Sequence, residues 1–240
     1  MLSSGYADQF THRQSFVDRH EFGGSPALVI FDCDGVLVQS EEITLSVLAD
    51  LFNAHLLEQQ HPAHLNPRDC IQRFRGRKLG VCLAELQREY GVELPFYFEA
   101  ALRVQAQAVY QTDLQATEGI LDVLSCLNTR ICVASSAPRS KVEVCLKLTR
   151  LWPWFEGKVF SCYELGQWKP DPLVFQVACA RYHVEPDQAL VIEDSVPGVQ
   201  AAVAAGIPVL GFGPADRHSE LRDAGATPFS RMSQLLDLLG

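Results

Sequence analysis

At 240 residues, 48% of them hydrophobic, the chain is long enough to bury a sizeable core, either as one domain or as one domain carrying an insertion. Its formal charge of -9 at pH 7 excludes a protein whose main work is gripping nucleic acid or an anionic membrane, since either needs a basic surface. No window has the length and purity of a transmembrane helix, the opening MLSSGYADQF lacks the layout of a secretion signal, and the eight cysteines never form a C-x-x-C pair. The expectation is a cytoplasmic protein with reduced, mostly buried thiols.

Residues 1 to 25 mix Ser, Gln, His, Arg and Asp with isolated aromatics and keep no period. They read as a loosely attached extension ending at Gly23-Gly24-Ser25-Pro26. Leu28-Val29-Ile30-Phe31 is an unbroken apolar run, the pattern of a strand buried on both faces, and it stops at Asp32-Cys33-Asp34-Gly35. Alternation along an extended segment sends Asp32 and Asp34 to one side and Cys33 to the other. Taken alone this is an Asp-x-Asp-Gly turn after an ordinary strand. Two adjacent carboxylates near a core nevertheless repel, and a hard divalent cation such as Mg²⁺ would relieve that repulsion.

From 41 onward the pattern is helical. Ile43, Val47, Leu48, Leu51, Phe52 and Leu56 fall near helical spacing over 41 to 57, with Glu41 and Glu42 suited to the positive end of that helix. His61-Pro62-Ala63-His64 has two histidines but no further ligand at metal spacing, and reads as a loop. Segments 78 to 90 and 96 to 110 are again helical, and no strand stands out between 41 and 112.

The second half alternates. Helices are expected at 117 to 127, 139 to 149, 172 to 183, 196 to 205 and 232 to 239. Strands are expected at 131 to 134, 158 to 161, 189 to 192 and 208 to 212. Such alternation calls for an α/β fold with a parallel sheet covered by helices on both faces. The organisation expected is an extension at 1-25, an α/β core from 26-40 and 113-240, and a helical insertion at 41-112, leaving a cleft between two lobes.

Ligands of open parallel sheets sit beyond the carboxyl ends of the strands. Three strands here end in polar residues: Asp32 with Asp34, Ser135 with Ser136, and Glu193 with Asp194 and Ser195. Any one of them reads equally as a cap or turn. Lys169-Pro170-Asp171-Pro172 adds a cation ahead of a helix whose start is fixed by proline. Together they offer acids for a metal, with a hydroxyl and an ammonium for phosphate oxygens.

Asp32-Cys33-Asp34-Gly35-Val36-Leu37, Ser135, Lys169-Pro170-Asp171-Pro172 and Glu193-Asp194-Ser195 with Gly198-Val199, Ala201-Ala202 and Ala205-Gly206 resemble, in order, the four motifs of the haloacid dehalogenase superfamily. The resemblance covers roughly 27 to 215. It implies a Rossmann-like parallel-sheet core with an inserted α-helical cap, of the kind found in the β-phosphoglucomutase-like branch. The stretches around Phe74-Arg75-Gly76-Arg77-Lys78 and Phe160 to Pro170 are similar to bacterial 6-phosphogluconate phosphatases. Two features depart from the pattern: Gln39 stands where many relatives have aspartate, and residues 1 to 25 have no counterpart.

The resemblance implies that Asp32 attacks phosphorus and becomes an aspartyl phosphate, and that Asp34 serves as acid and then base. It implies Mg²⁺ held by Asp32, the main-chain carbonyl of Asp34 and Asp194, with Glu193 bound directly or in support. Ser135, Ser136 and Lys169 would bind the phosphate. The substrate expected is a small phosphorylated metabolite, a sugar phosphate or sugar acid phosphate such as 6-phosphogluconate. No nucleic acid or membrane partner is expected. Arg75, Lys78 and Arg139 are candidate specificity residues: each, like Arg77 and Lys141, is either solvated surface charge or a cation facing the cleft that pairs with a distal carboxylate. Three other readings are weighed. Dehalogenases of the superfamily lack the second aspartate of the first motif, which this chain keeps as Asp34; a phosphosugar mutase uses a histidine where this chain has Thr44; and a non-catalytic binding protein on the same fold usually loses the motif carboxylates that this chain keeps.

Overall fold

The computed structural model describes residues 25 to 75 and 77 to 239. The expected extension therefore lies outside the described residues, except for Ser25. Six strands, β1 (Leu28–Phe31), β2 (Arg130–Ser135), β3 (Val159–Ser161), β4 (Ala189–Glu193), β5 (Val209–Phe212) and β6 (Thr227–Phe229), form one sheet in the order β3-β2-β1-β4-β5-β6. Every neighbouring pair is parallel.

β1 lies in the middle, which is why its sequence is uniformly apolar: it has a strand on each side and a packed layer on each face. Alternation sorts its side chains. Val29 and Phe31 enter one apolar cluster with Val133, Leu190, Ile192 and Phe155, while Leu28 and Ile30 enter the other with Ala134, Val191 and Phe175. Each large side chain fully buried this way contributes about 1.5–3 kcal/mol.

The first four of the five helices between β1 and β2 make up the insertion: α1 (Ser40–Glu58), α2 (Pro67–Phe74), α3 (Leu79–Tyr90) and α4 (Phe98–Asp113). They surround a third apolar cluster of their own, with Phe52, Phe74, Leu86, Phe98 and Leu102 at its centre. The chain crosses between the two parts twice, and the crossings are tied together. Gln39 N–H donates to the Gln115 carbonyl (3.0 Å), Thr117 N–H to the Leu37 carbonyl (2.9 Å), and the Gln39 amide Nε2 to Thr117 Oγ1 (2.8 Å). The residue that departs from the family pattern thus joins the two connections.

The remaining helices are α5 (Ile120–Cys126), α6 (Arg139–Leu148), α7 (Trp152–Phe155), α8 (Cys162–Leu165), α9 (Leu173–Tyr182), α10 (Val196–Ala204), α11 (His218–Asp223) and α12 (Gln234–Leu239). Three departures from the sequence reading are physical. β6 is three residues long and contains Pro228, which a sheet tolerates only at an edge. α2 is polar apart from Cys70, Ile71 and Phe74 and is fixed instead by its start, where Asn66 accepts from Arg68 N–H at 2.8 Å and Pro67 opens the first turn. α7, α8 and α11 are too short to show a period. No helix among the described residues is long and apolar enough to cross a membrane.

Candidate active site

β1 delivers Asp32 and Asp34 beyond its carboxyl end through a tight turn, in which Gly35 N–H donates to the Val38 carbonyl (2.8 Å) and Leu37 N–H to Cys33 O (3.0 Å). Gly35 has φ +84°, a conformation that glycine adopts without a Cβ penalty. Cys33 turns away into the apolar layer. The ends of β2 and β4 bring Ser135, Ser136, Glu193 and Asp194 to the same place, and Lys169 arrives after α8. All seven line a cavity of about 450 Å³, together with Glu41, Thr44, Arg77, Lys78 and Arg103 from the inserted helices.

Lys169 is the electrostatic centre. Its side chain is 4% exposed, and its ammonium donates to Asp32 Oδ1 (2.6 Å), Glu193 Oε1 (2.5 Å) and the Ala134 carbonyl (2.9 Å), which uses all three of its hydrogens. Burial alone would lower its proton affinity, but the two carboxylates raise it above the ordinary lysine range. Glu193 is fully buried and equally committed: its Oε2 accepts from Asp194 N–H (3.0 Å), Ser195 N–H (3.1 Å) and Ser195 Oγ (2.9 Å). Ser195 also caps α10 by accepting from Gly198 N–H (3.1 Å). The approach is so close that a Cβ on Gly198 would stand 1.9 Å from Glu193 Oε1.

The two carboxylates of β1 sit in unlike surroundings. Burial pushes Asp32 up to about 7, with Lys169 opposing the rise and Glu193 and Asp34 adding to it. Asp34 is also penalised by burial, yet the Lys141 ammonium at 2.8 Å and the Ser40 hydroxyl, both on Oδ1, hold it below the usual carboxylate range. Asp194 is the odd one out. It is 7% exposed, and among the described residues no donor reaches its carboxylate. Burial, then Glu41, Glu193 and Asp32, drive its proton affinity well up. Asp32, Glu193 and Asp194 each place an oxygen within 4.8 Å of the others. A buried carboxylate without a donor, beside two more, is an oxygen-only set suited to a hard divalent cation such as Mg²⁺. Asp32 and Asp194 fit as ligands. Glu193, with its oxygens already taken by Lys169 and the Ser195 turn, fits a supporting place better.

Two of the specificity candidates are not brought to the cavity. Arg75 pairs with Glu42 and lies 3.6 Å from Glu41, and Arg139 grips Glu164 through Nε and Nη2 (2.5 and 2.7 Å). Neither lines the pocket, because each meets an acid beside it first. Lys78 does line it, with its ammonium 4.3 Å from the centroid of the Trp168 ring and no carboxylate partner among the described residues. Arg103, from α4, reaches Tyr163 OH at 2.8 Å. Sequence reasoning missed Arg103, Ser40 and the role of Lys141. One signal pointed to Lys141: a lysine in the first turn of a helix lies at the wrong end of the helix dipole and needs a nearby anion to explain it.

Residues 26–206 match the family described as haloacid dehalogenase-like hydrolases. The chain belongs to this family. It is 30% identical over 211 residues to the 6-phosphogluconate phosphatase of Escherichia coli K12, covering 88% of this chain and 93% of that protein. It is 25% identical to a phosphorylated carbohydrates phosphatase of Thermotoga maritima, over 88% of this chain and 97% of the relative. A haloacid dehalogenase-like protein of unknown function from Agrobacterium tumefaciens superposes with a TM-score of 0.76 at 32% identity, covering 89% of this chain and 97% of the other. The haloacid dehalogenase-like core with a helical insertion expected from the motifs is thus the fold observed.

Proposed function

We propose that this haloacid dehalogenase-like hydrolase is a Mg²⁺-dependent phosphatase of small phosphorylated sugars and sugar acids, with 6-phosphogluconate the first substrate to try. The observation that carries the reading is the meeting, in one cavity, of the Asp32 carboxylate, the Asp34 carboxylate with its own partners, a buried ammonium and an Asp194 carboxylate that no donor among the described residues reaches. The cavity volume suits a small metabolite. The names of the relatives from Escherichia coli and Thermotoga maritima support the substrate class.

In this reading Asp32 attacks phosphorus, the P–O ester bond breaks, and a phosphoryl group rests on the Asp32 carboxylate. Asp34 gives its proton to the departing oxygen, which leaves as the alcohol. Asp34 then takes a proton from water as that water attacks the phosphoryl group, releasing phosphate and free Asp32. Lys169, turning one hydrogen from its present acceptors to the incoming substrate, and the hydroxyls of Ser135 and Ser136 hold the phosphate oxygens. Without cation or substrate the proton affinities run the wrong way, with Asp32 high and Asp34 low. Mg²⁺ held by Asp32, the Asp34 carbonyl and Asp194 would keep Asp32 ionised and neutralise phosphate charge. An incoming phosphate dianion beside Asp34 would raise its proton affinity by like-charge repulsion.

The helices between 41 and 112 serve as a lid hinged near 39 to 41 and 113 to 117, which closes over bound substrate and excludes stray water. Lys78, with no carboxylate partner among the described residues, is the cap cation for a distal carboxylate, and Trp168 and Tyr163 face the sugar. Phosphate release from a panel of sugar phosphates tests the reading. It expects Mg²⁺-dependent turnover that is greatest on acid-bearing sugars and absent in Asp32→Asn. Turnover undiminished in excess chelator, or an active Asp32→Asn protein, would contradict it.

A further inference from the structure

Asp34 has two oxygens, and only one of them is available for proton transfer. Oδ1 accepts from Lys141 Nζ at 2.8 Å and from the Ser40 hydroxyl. Among the described residues no donor reaches Oδ2. An oxygen already receiving two hydrogens is a poor place for a third, so a proton on Asp34 resides on Oδ2. Lys141 is itself held in place. Its ammonium lies 5.8 Å from the centroid of the Tyr110 ring, and the Tyr110 hydroxyl pairs with Thr44 Oγ1 at 2.5 Å, which leaves the lysine between the carboxylate and an aromatic face. Lys141 comes from α6 of the sheet-bearing part, whereas Ser40, Thr44 and Tyr110 come from α1 and α4. The Asp34 carboxyl is thus gripped from both sides of the junction.

We propose that Lys141 is a positioning residue: it pins Oδ1 of Asp34 so that the protonated Oδ2 faces the leaving oxygen of the ester. The inference rests on the phosphatase reading, in which Asp34 protonates that oxygen, and it concerns the aim of the carboxyl group rather than its acidity. It separates Lys141 from Lys169, which meets Asp32 and Glu193 instead. It also predicts a dependence that a merely stabilising ion pair would not produce. An alkoxide leaves poorly without a proton, whereas 4-nitrophenolate leaves without one, so loss of aim harms only the first kind of ester in the phosphoryl-transfer step.

The experiment measures single-turnover and steady-state kinetics of wild type, Lys141→Met and Lys141→Arg with Mg²⁺, using a hexose 6-phosphate and 4-nitrophenyl phosphate. In Lys141→Met, phosphoryl transfer from the sugar ester is expected to fall by about 10²-fold or more, while the first turnover of the nitrophenyl ester stays within about three-fold of wild type. The nitrophenyl ester is then expected to show a burst, because the water step that follows still needs Asp34 as base. Lys141→Arg, which keeps the charge and a donor, recovers part of the sugar-ester rate, and it carries the test if the methionine variant lacks a cooperative melting transition. Equal losses on both esters, an unchanged sugar-ester rate, or no recovery in Lys141→Arg would overturn the proposal. A wild type inert toward both esters would remove the phosphatase reading, and this inference with it.

Discussion

Gly35 and Asp194 are in such close approach that a Cβ on Gly35 would stand 2.1 Å from Asp194 Oδ2 and 2.6 Å from its carboxyl carbon. The turn that swings Asp34 out of β1 is therefore also the floor under the Asp194 carboxylate. Gly35→Ala would have to move a backbone turn or the carboxylate, and its φ of +84° adds strain of about 1–2 kcal/mol. The expected result is a folded protein with weakened divalent-cation binding. Calorimetric titration with Mg²⁺ checks it, and unchanged affinity would show that Asp194 is not a ligand.

The carboxylate cluster makes metal-free stability depend on pH. Asp32 rises from 3.8 to about 7 in the folded chain, and Asp194 rises as well. A carboxyl group whose folded pKa is raised contributes stability that is complete below its unfolded value and is lost as pH climbs through the folded one. Asp34, held low by Lys141, has the opposite sign and loses its contribution on acidification. Between about pH 4 and 7, each raised group subtracts up to about 1.4 kcal/mol per pH unit. Saturating Mg²⁺ should therefore raise Tm more at about pH 8 than at about pH 5. Equal increments at the two pH values in a thermal-shift titration would count against this balance.

Removing the central ammonium has two separable effects. Lys169→Met leaves Asp32 and Glu193 buried without their shared partner, a loss of about 3–5 kcal/mol for a broken buried pair. It also removes a donor to phosphate, for which kcat should fall by on the order of 10²-fold or more. Denaturant unfolding reads the first and steady-state kinetics the second. A variant that keeps wild-type kcat would exclude Lys169 from phosphate binding.

Arg75 and Lys78 make a controlled pair three residues apart. Arg75 is taken up by Glu42, whereas Lys78 faces the cavity over Trp168. Lys78→Met should raise KM for acid-bearing sugar phosphates by roughly ten-fold or more, the loss of a charged hydrogen bond, and leave neutral sugar phosphates nearly unchanged. Arg75→Ala should alter neither preference. A selective effect in Arg75→Ala would return that residue to the site.

At the junction, Gln39→Ala removes the amide that ties the two connections at Thr117. Stability should fall by about 1 kcal/mol, and hydrogen exchange near 37 to 40 and 115 to 117 should quicken relative to β1. Exchange that quickens uniformly across the sheet would show that Gln39 supports the whole fold rather than the junction.

What could be read from the chain alone follows from the range of the interactions. β1 was legible because burial on both faces demands an unbroken apolar run, and the two carboxylates at its end because they follow that run directly. Lys169 was legible because prolines on either side of Asp171 fix its place. Side-chain partners were a different matter. Arg75 and Glu42 are 33 residues apart, and Lys141 and Asp34 are 107 apart. A cation's position in the sequence does not say which acid it meets, so Arg75, Arg139 and Lys141 alike stand open between cleft and solvent when the chain is read alone. β6 escaped because its three residues include a proline that only an edge can hold.

The third apolar cluster carries a thermodynamic consequence for a moving lid. Apart from Ile43, Ala106 and Tyr110 near the junction, the greasy side chains of the inserted helices pack on each other and not on the sheet. Swinging the helices away would therefore wet little oil: the contacts given up are ion–dipole and cation–ring pairs such as Lys78 with Trp168 and Arg103 with Tyr163, which water or a sugar hydroxyl can replace. The heat-capacity change of opening should be correspondingly small, since that quantity follows apolar surface. Substrate capture would then be nearly insensitive to temperature in its conformational part, leaving the chemistry to set how the rate responds to warming.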